Sequence, residues 1–196
     1  MSPGELRLVH PPPKPRRKVV PNEVLGVTIF ILTELMFFAG FISAFSISKA
    51  AAPMWPPPGQ PRLPLEATAI NTVALLISGG VAWWAGRQFD RVGPRSARAP
   101  LLVAIGLGAF FLVFQGFEWV SMLREGLTLT SSTHGAFFYL IVGTHGLHAV
   151  GGSIVLMLLA RSLWAERLTS DQFWAGRLFW YFVVLLWPVL YLMVYR

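Results

Sequence analysis

The sequence predicts an all-helical integral membrane protein, a bundle of five transmembrane helices. Three observations predict it. First, 55% of the 196 residues are hydrophobic and only 13% are charged, whereas soluble domains carry about 25% charged residues. Second, the apolar residues gather into five runs, roughly 24–48, 66–86, 100–123, 135–160 and 174–195. Each run is long enough to cross ~30 Å of hydrocarbon at ~1.5 Å per residue. Third, the runs are continuously apolar and do not alternate. Helices therefore span the membrane rather than barrel strands, because lipid cannot satisfy exposed backbone N–H and C=O groups.

The first 22 residues stand apart as a basic, proline-rich tail with the stretch Pro11-Pro12-Pro13-Lys14-Pro15-Arg16-Arg17-Lys18. The tail has nothing with which to build a core. The apolar run behind it is too long for a cleaved signal peptide, so it is expected to remain as the first span of a membrane domain over 23–196. Residues 49–65 hold Pro53, Pro56, Pro57, Pro58, Pro61 and Pro64 and predict a non-helical loop before the second span. Residues 87–99 carry Arg87, Arg91, Arg95 and Arg98 around Gly93-Pro94. Short polar connections at 124–133 and 161–173 precede the fourth and fifth spans. No internal repeat is visible.

The net charge of +7 is distributed between the apolar runs rather than along one face, which excludes a nucleic-acid partner and points to the membrane surface. With the N-terminus inside, twelve Lys and Arg fall on the inner side, Arg177 among them, and four on the outer side. That bias predicts a cytoplasmic N-terminus and an external C-terminus. Trp83-Trp84, Trp119, Trp174, Tyr191 and Tyr195 lie near span ends, as interfacial aromatic belts do. Gly40 with Ala44, Ser78-Gly79-Gly80, and Gly143, Gly146, Gly151 and Gly152 provide small faces for close helix packing. Cys is absent, so there is no disulfide frame, thiolate zinc site or iron–sulfur cluster.

An ionisable side chain at mid-span costs about 2.5–3.5 kcal/mol on insertion scales and asks for a reason. Glu34 and His148 both lie near the middle of their spans. They share a depth, and a hydrogen bond joins them if the first and fourth helices touch. A proton relay and a polar lock between helices are both open readings of such a pair. Near the outer side, Gln115, Glu118 and His134 form a candidate polar cluster. His145 and His148 share a helical face, but no second helix supplies a histidine for haem ligation, and the carboxylate-rich Glu-x-x-His pattern of a bundle dimetal site is absent. No Gly-x-Ser-x-Gly, phosphate-binding loop, dinucleotide fingerprint or His-Glu-x-x-His occurs. The expectation is a bundle with no catalytic residue and no metal ligand set of its own.

Four stretches in order resemble one family. Thr33-Glu34-Leu35-Met36-Phe37-Phe38-Ala39-Gly40-Phe41, Trp55-Pro56-Pro57 with Pro64-Leu65-Glu66 and Asn71-Thr72, Gln115-Gly116-Phe117-Glu118-Trp119, and His145-Gly146-Leu147-His148-Ala149-Val150 are similar to the signature stretches of haem–copper oxidase (cytochrome c oxidase) subunit III. The resemblance runs from about residue 24 to the C-terminus. It differs from the common pattern in three ways. Five helices stand where seven are usual, as in a short form without the first two. Tyr181 and Val184 replace the His and Asp of a Trp-His-Phe-Val-Asp stretch, and Pro188 follows Trp187.

The resemblance implies an accessory role in a terminal oxidase of a bacterial cytoplasmic membrane, in which O₂ reduction is coupled to proton pumping. It implies that haem and copper sit in partner subunits and none in this chain. It also implies docking on subunit I and the other oxidase subunits, bound phospholipid, support of proton uptake, and a partner set that extends to a respiratory supercomplex. Glu34 matches the family's buried, carbodiimide-reactive glutamate and His148 the histidine that meets it, while Arg161 corresponds to a lipid-phosphate-binding arginine. A related accessory protein of nitric oxide reductase and subunit III of a quinol oxidase fit the same motifs. From another class, a stand-alone proton-coupled transporter would use Glu34 and His148, although inverted repeats and broken helices are not visible.

Overall fold

A computed structural model describes residues 20–61 and 63–195. Its five long helices are α1 (Asn22–Ala51), α2 (Leu65–Arg91), α3 (Arg98–Arg124), α4 (Thr133–Trp164) and α5 (Ser170–Val194). A 3₁₀ turn, Pro94–Ala97, joins α2 to α3. All five are long and apolar enough to cross a membrane. Residues 1–19 of the expected tail, together with Arg62 and Arg196, lie outside the described residues.

The helices run past most of the expected span boundaries because their ends are built from residues that tolerate helical backbone beyond the hydrocarbon. Arg87 and Arg91 extend α2, and Arg161 extends α4, on stems long enough to reach headgroup level. Local chemistry then sets the starts and stops. Pro21 and Pro64 stand immediately before α1 and α2, where a missing N–H leaves no intrahelical bond unmade. The Ser132 hydroxyl accepts the Gly135 N–H at 3.0 Å and opens α4. At α5, the Thr169 hydroxyl accepts the Gln172 N–H at 3.2 Å, and the Gln172 side chain accepts the Thr169 N–H at 3.4 Å, a reciprocal capping box. Gly93, with φ 126°, provides the turn after α2 that a side chain would strain. Pro188 removes one backbone donor inside α5, yet the helix continues through it.

α5 is the centre of the bundle. It packs against α1, α2 and α4, while α3 bridges α2 and α4 and α1 also touches α4. Consecutive helices α1 and α2 do not pack on each other among the described residues. Lipid tails give no hydrophobic drive for helix association, so close packing and interhelical hydrogen bonds must hold the bundle. Trp180 of α5 shows both. Its ring lies 2.8 Å from where a β-carbon on either Gly108 of α3 or Gly152 of α4 would stand. Its Nε1–H donates to Ser78 Oγ of α2 at 3.1 Å, and that hydroxyl donates to the Ala104 carbonyl of α3 at 2.8 Å. Two turns on, Trp187 Nε1–H donates to Thr72 Oγ1 of α2 at 2.8 Å. Val184 fills the notch over Gly79 in the same way, 2.8 Å from a β-carbon built there. On α2 the inward stripe is therefore Thr68, Asn71, Thr72, Leu75, Ser78, Gly79, Ala82, Ala85, Gly86 and Phe89, which apart from Leu75 and Phe89 are small or polar residues at helical spacing. α1 is the reverse case: it buries little beyond Val24, Phe38 and Phe45 and turns most of its apolar surface outward.

Candidate functional site

Glu34 on α1 and His148 on α4 meet where those helices touch. Glu34 Oε2 lies 3.0 Å from His148 Nε2, and the side chains are 19% and 14% exposed. His148 Nδ1 lies 2.8 Å from the Thr144 carbonyl one turn earlier. A carbonyl only accepts, so Nδ1 carries a proton and donates. One further proton must then lie between Nε2 and Oε2. It belongs either to a carboxylic acid facing a neutral imidazole or to an imidazolium facing a carboxylate. The pair is neutral in either form, which is what a low-dielectric setting favours.

That setting is aromatic. The His148 ring is 6.4 Å from Phe30, 5.5 Å from Phe38, 6.4 Å from Phe179 and 6.0 Å from Phe182, measured between centroids. Phe30 and Phe38 come from α1, and Phe179 and Phe182 from α5. The four rings displace water from the pair and so strengthen its hydrogen bond.

One turn before His148, His145 is fully buried. Its ring stacks on Trp187 at 4.9 Å and meets Phe111 edge-on at 6.3 Å. Neither ring nitrogen has a partner among the described residues. His145 lines a cavity of about 230 Å³ between α3 and α4 with Gln115, Trp119 and Trp187.

At the other end of the bundle from the arginine-rich α2–α3 turn, Glu118 and Gln115 form a buried polar knot with residues from two other elements. The Thr68 hydroxyl of α2 donates to Glu118 Oε2 at 2.8 Å. Gln115 Nε2 lies 3.5 Å from Glu118 Oε2 and donates to the Tyr195 hydroxyl at 3.3 Å. Asn71 Nδ2 reaches the Phe111 carbonyl at 3.2 Å and Gln115 Oε1 at 3.5 Å. His134 does not join. It opens α4 facing the α1–α2 loop, where its ring stands perpendicular to Trp55 at 5.1 Å. The expected trio is thus a Gln115–Glu118 pair completed by Thr68, Asn71 and Tyr195. The i, i+3 spacing of Thr68 and Asn71, which puts both on one face of α2, is the signal in the sequence that marks them.

Three further side chains turn inward where a membrane-surface position was expected. Arg177 is 4% exposed and lies inside α5. Tyr195 is buried, and the Trp119 ring covers Gly146, 3.0 Å from where its β-carbon would be. Trp83, Trp84 and Trp174 do remain exposed. Arg161 is exposed in the last turn of α4. Among the described residues, no three His, Cys, Asp or Glu side chains come together as a metal-binding group.

Residues 17–196 match the family model described as cytochrome c oxidase subunit III. Cytochrome c oxidase subunit 3 of Papio hamadryas is 35% identical over 179 residues, which cover 87% of this chain and 67% of the relative. The Loxodonta africana protein of the same name is 34% identical over the same shares. That of the fungus Pyricularia grisea is 34% identical over 180 residues, 87% of this chain and 66% of the relative. With nine-tenths of its length matched and its five apolar helices in place, the chain belongs to the cytochrome c oxidase subunit III family, as a multi-pass membrane member of an oxidoreductase complex.

Proposed function

We propose that this chain is the non-redox subunit III of a haem–copper terminal oxidase. It docks on subunit I, holds phospholipid and sustains proton uptake while subunit I reduces O₂. The observation that carries this reading is the Glu34–His148 pair at 3.0 Å. It is a proton-sharing contact between α1 and α4, set in aromatic side chains and away from any metal-ligating group in the described residues. Its role is to lock α1 onto α4 and to keep one proton at a fixed depth. The Gln115–Glu118 knot clamps the opposite end of α2, α3 and α5. Arg161, exposed in the last turn of α4, is the residue assigned to a lipid phosphate in this reading, supported by its charge and its place at the helix end.

The membrane domain over 23–196 lies in a bacterial cytoplasmic membrane with its N-terminus inside and its C-terminus outside. The charge of the basic tail over 1–22 suits it to anionic inner-leaflet lipid or to a partner. The support for this orientation is the gathering of Lys and Arg at one end of the bundle. Partners extend from subunit I to the other oxidase subunits and a respiratory supercomplex.

Purification in mild detergent through a tag on this chain, followed by a reduced-minus-oxidised spectrum, tests the assignment. Haem a bands with a large helical partner are expected. Haem b and o bands would assign the chain to a quinol oxidase, and haem b and c bands without copper to nitric oxide reduction. A stable haem-free protein without a partner would leave a stand-alone transporter. In the complex, Glu34→Ala should keep initial oxidase activity and shorten its lifetime in turnover. Loss of the haem spectrum in that variant would contradict an accessory role.

A further inference from the structure

A cavity of about 290 Å³ lies where the end of α1, the α1–α2 loop, the start of α4 and the end of α5 meet. This is the end of the bundle opposite the arginine-rich α2–α3 turn. The lining joins a lysine, Lys49, and a buried histidine, His134, to an apolar wall of Trp55, Pro56, Pro61 and Leu63. No carboxylate lines it, and none lies within 4.0 Å of Lys49, among the described residues. The function proposed above uses neither Lys49 nor His134.

Side-chain contacts tie the two polar groups into one place. Lys49 stands in the last turn of α1, with Nζ 5.8 Å from the centre of the Phe45 ring. Phe45 meets Trp55 edge-on at 5.5 Å, and Trp55 meets His134 edge-on at 5.1 Å. His134 is 3% exposed, and its Nδ1 has no partner among the described residues. The charged group that acts on it is the Lys49 ammonium. His134 is also the second residue of the 32-residue helix α4, where the helix dipole presents its positive end. An ammonium, a helix N-terminus and a buried ring N–H thus meet at one cavity with no counter-charge in its lining. A buried polar group without a hydrogen bond is costly, and an anion that accepts from it removes that cost.

We propose that this cavity binds a small organic carboxylate with a compact apolar body. The carboxylate takes the Lys49 ammonium and a ring N–H of His134, and the body lies against Trp55 and the two prolines. Hydrogen bonds to an ionised acceptor are roughly twice as strong as neutral ones, so the site prefers a carboxylate to the matching amide. An apolar cavity of about 150 Å³ admits benzene. The cavity at Lys49, with about 290 Å³, therefore has room for a benzene ring that carries a carboxylate. Benzoate is the probe that fits.

The test uses the assembled complex in phosphatidylcholine nanodiscs, which add no net-anionic lipid. Lys49 is one of three lysines in the chain, and the other two, Lys14 and Lys18, stand in the tail. An amine-acetylating reagent, read by mass spectrometry, therefore reports the site and its reference in one sample. Benzoate at about ten times its half-saturating concentration should slow acetylation of Lys49 about tenfold and leave Lys14 and Lys18 unchanged. Benzamide, with the same body and no charge, should give no protection. His134→Phe keeps a ring against Trp55 and removes the N–H, and it should raise the benzoate concentration for half protection about tenfold. Should that variant fail to assemble, the comparison of benzoate with benzamide on the wild-type complex still decides. Acetylation of Lys49 that benzoate does not slow, equal protection by benzamide, or unchanged half protection in His134→Phe would overturn the proposal. So would a zero-length crosslink from Lys49 to a carboxylate of the complex under a water-soluble carbodiimide, because a protein group would then be the anion. Lys49 that resists acetylation without benzoate would do the same, by showing that another subunit covers the cavity.

Discussion

The guanidinium of Arg177 occupies the position of a β-carbon on Gly86. The two positions therefore constrain each other across the α2–α5 interface. Gly86→Ala is expected to destabilise the chain by about 1–3 kcal/mol, as overpacking does. The penalty should shrink when Arg177→Ala is combined with it, because the clash then has no second party. Thermal unfolding of the assembled complex, followed by tryptophan fluorescence, measures both. Equal penalties in the two backgrounds would show that α2 and α5 do not approach as closely as described.

The Glu34–His148 contact should appear as a coupling energy. Interhelical hydrogen bonds in membrane proteins contribute on average about 0.6 kcal/mol and rarely exceed about 1.7 kcal/mol. A double-mutant cycle of Glu34→Gln and His148→Ala should therefore return about 0.5–2 kcal/mol, with the aromatic surround favouring the upper half. Glu34 should also be modified by a hydrophobic carbodiimide in the native complex, and His148→Ala should change the rate of that modification. Additive single effects with an unchanged rate would mean that the residues act independently.

Trp180 stands on two glycines and donates one hydrogen bond. Trp180→Phe removes the N–H and leaves the Ser78 hydroxyl with its acceptor, Ala104 O, intact. A loss of about 1 kcal/mol is expected. Trp180→Ala empties the slot between α3 and α4, and a loss of about 3–5 kcal/mol is expected. Ser78→Ala in the Trp180→Phe background should then cost less than it does alone. Detergent-inactivation half-lives of the complex rank the four proteins.

Two contacts at the arginine-rich end differ in kind. Thr169 and Gln172 satisfy backbone donors at the start of α5, so Thr169→Ala should cost about 1 kcal/mol at any ionic strength. Glu166 pairs with Arg95 at 3.1 Å and with Arg98 at 3.5 Å, but its side chain is 58% exposed. Glu166→Gln should change stability by less than about 1 kcal/mol, with nothing measurable left in high salt. Unfolding midpoints at two salt concentrations separate the cases, and a salt-dependent loss for Thr169→Ala would refute the capping account.

Helix number, order and approximate length were legible in the sequence, because each is a local property. An apolar run of the right length becomes a spanning helix whatever its neighbours do, and Pro21, Pro64, Ser132 and Thr169 mark the starts with chemistry that acts within one turn. The shared depth of Glu34 and His148 was legible for the same reason, since depth along a helix is a count of residues. Whether the two side chains point at one another was not, because that depends on how α1 and α4 are rotated about their axes.

Rotation and neighbourhood are what the tertiary structure alone decided. A soluble helix announces its inward face by an apolar stripe. These helices are apolar nearly all round, so the usual stripe is muted and only small and polar residues betray the inner face. That is why Thr68, Asn71 and Tyr195 gather on Gln115 and Glu118 while His134 turns away to Trp55. It is also why Arg177, which belongs by type with the surface cations, is drawn inside. Gly86 leaves a space on α2 that only the α2–α5 approach reveals, and the guanidinium fills it. The sequence by itself determined which segments cross the membrane and at what depth each polar group sits. The packing of α5 among α1, α2 and α4 decided which of those groups meet, because contacts between helices far apart in sequence are set by the fit of non-local surfaces.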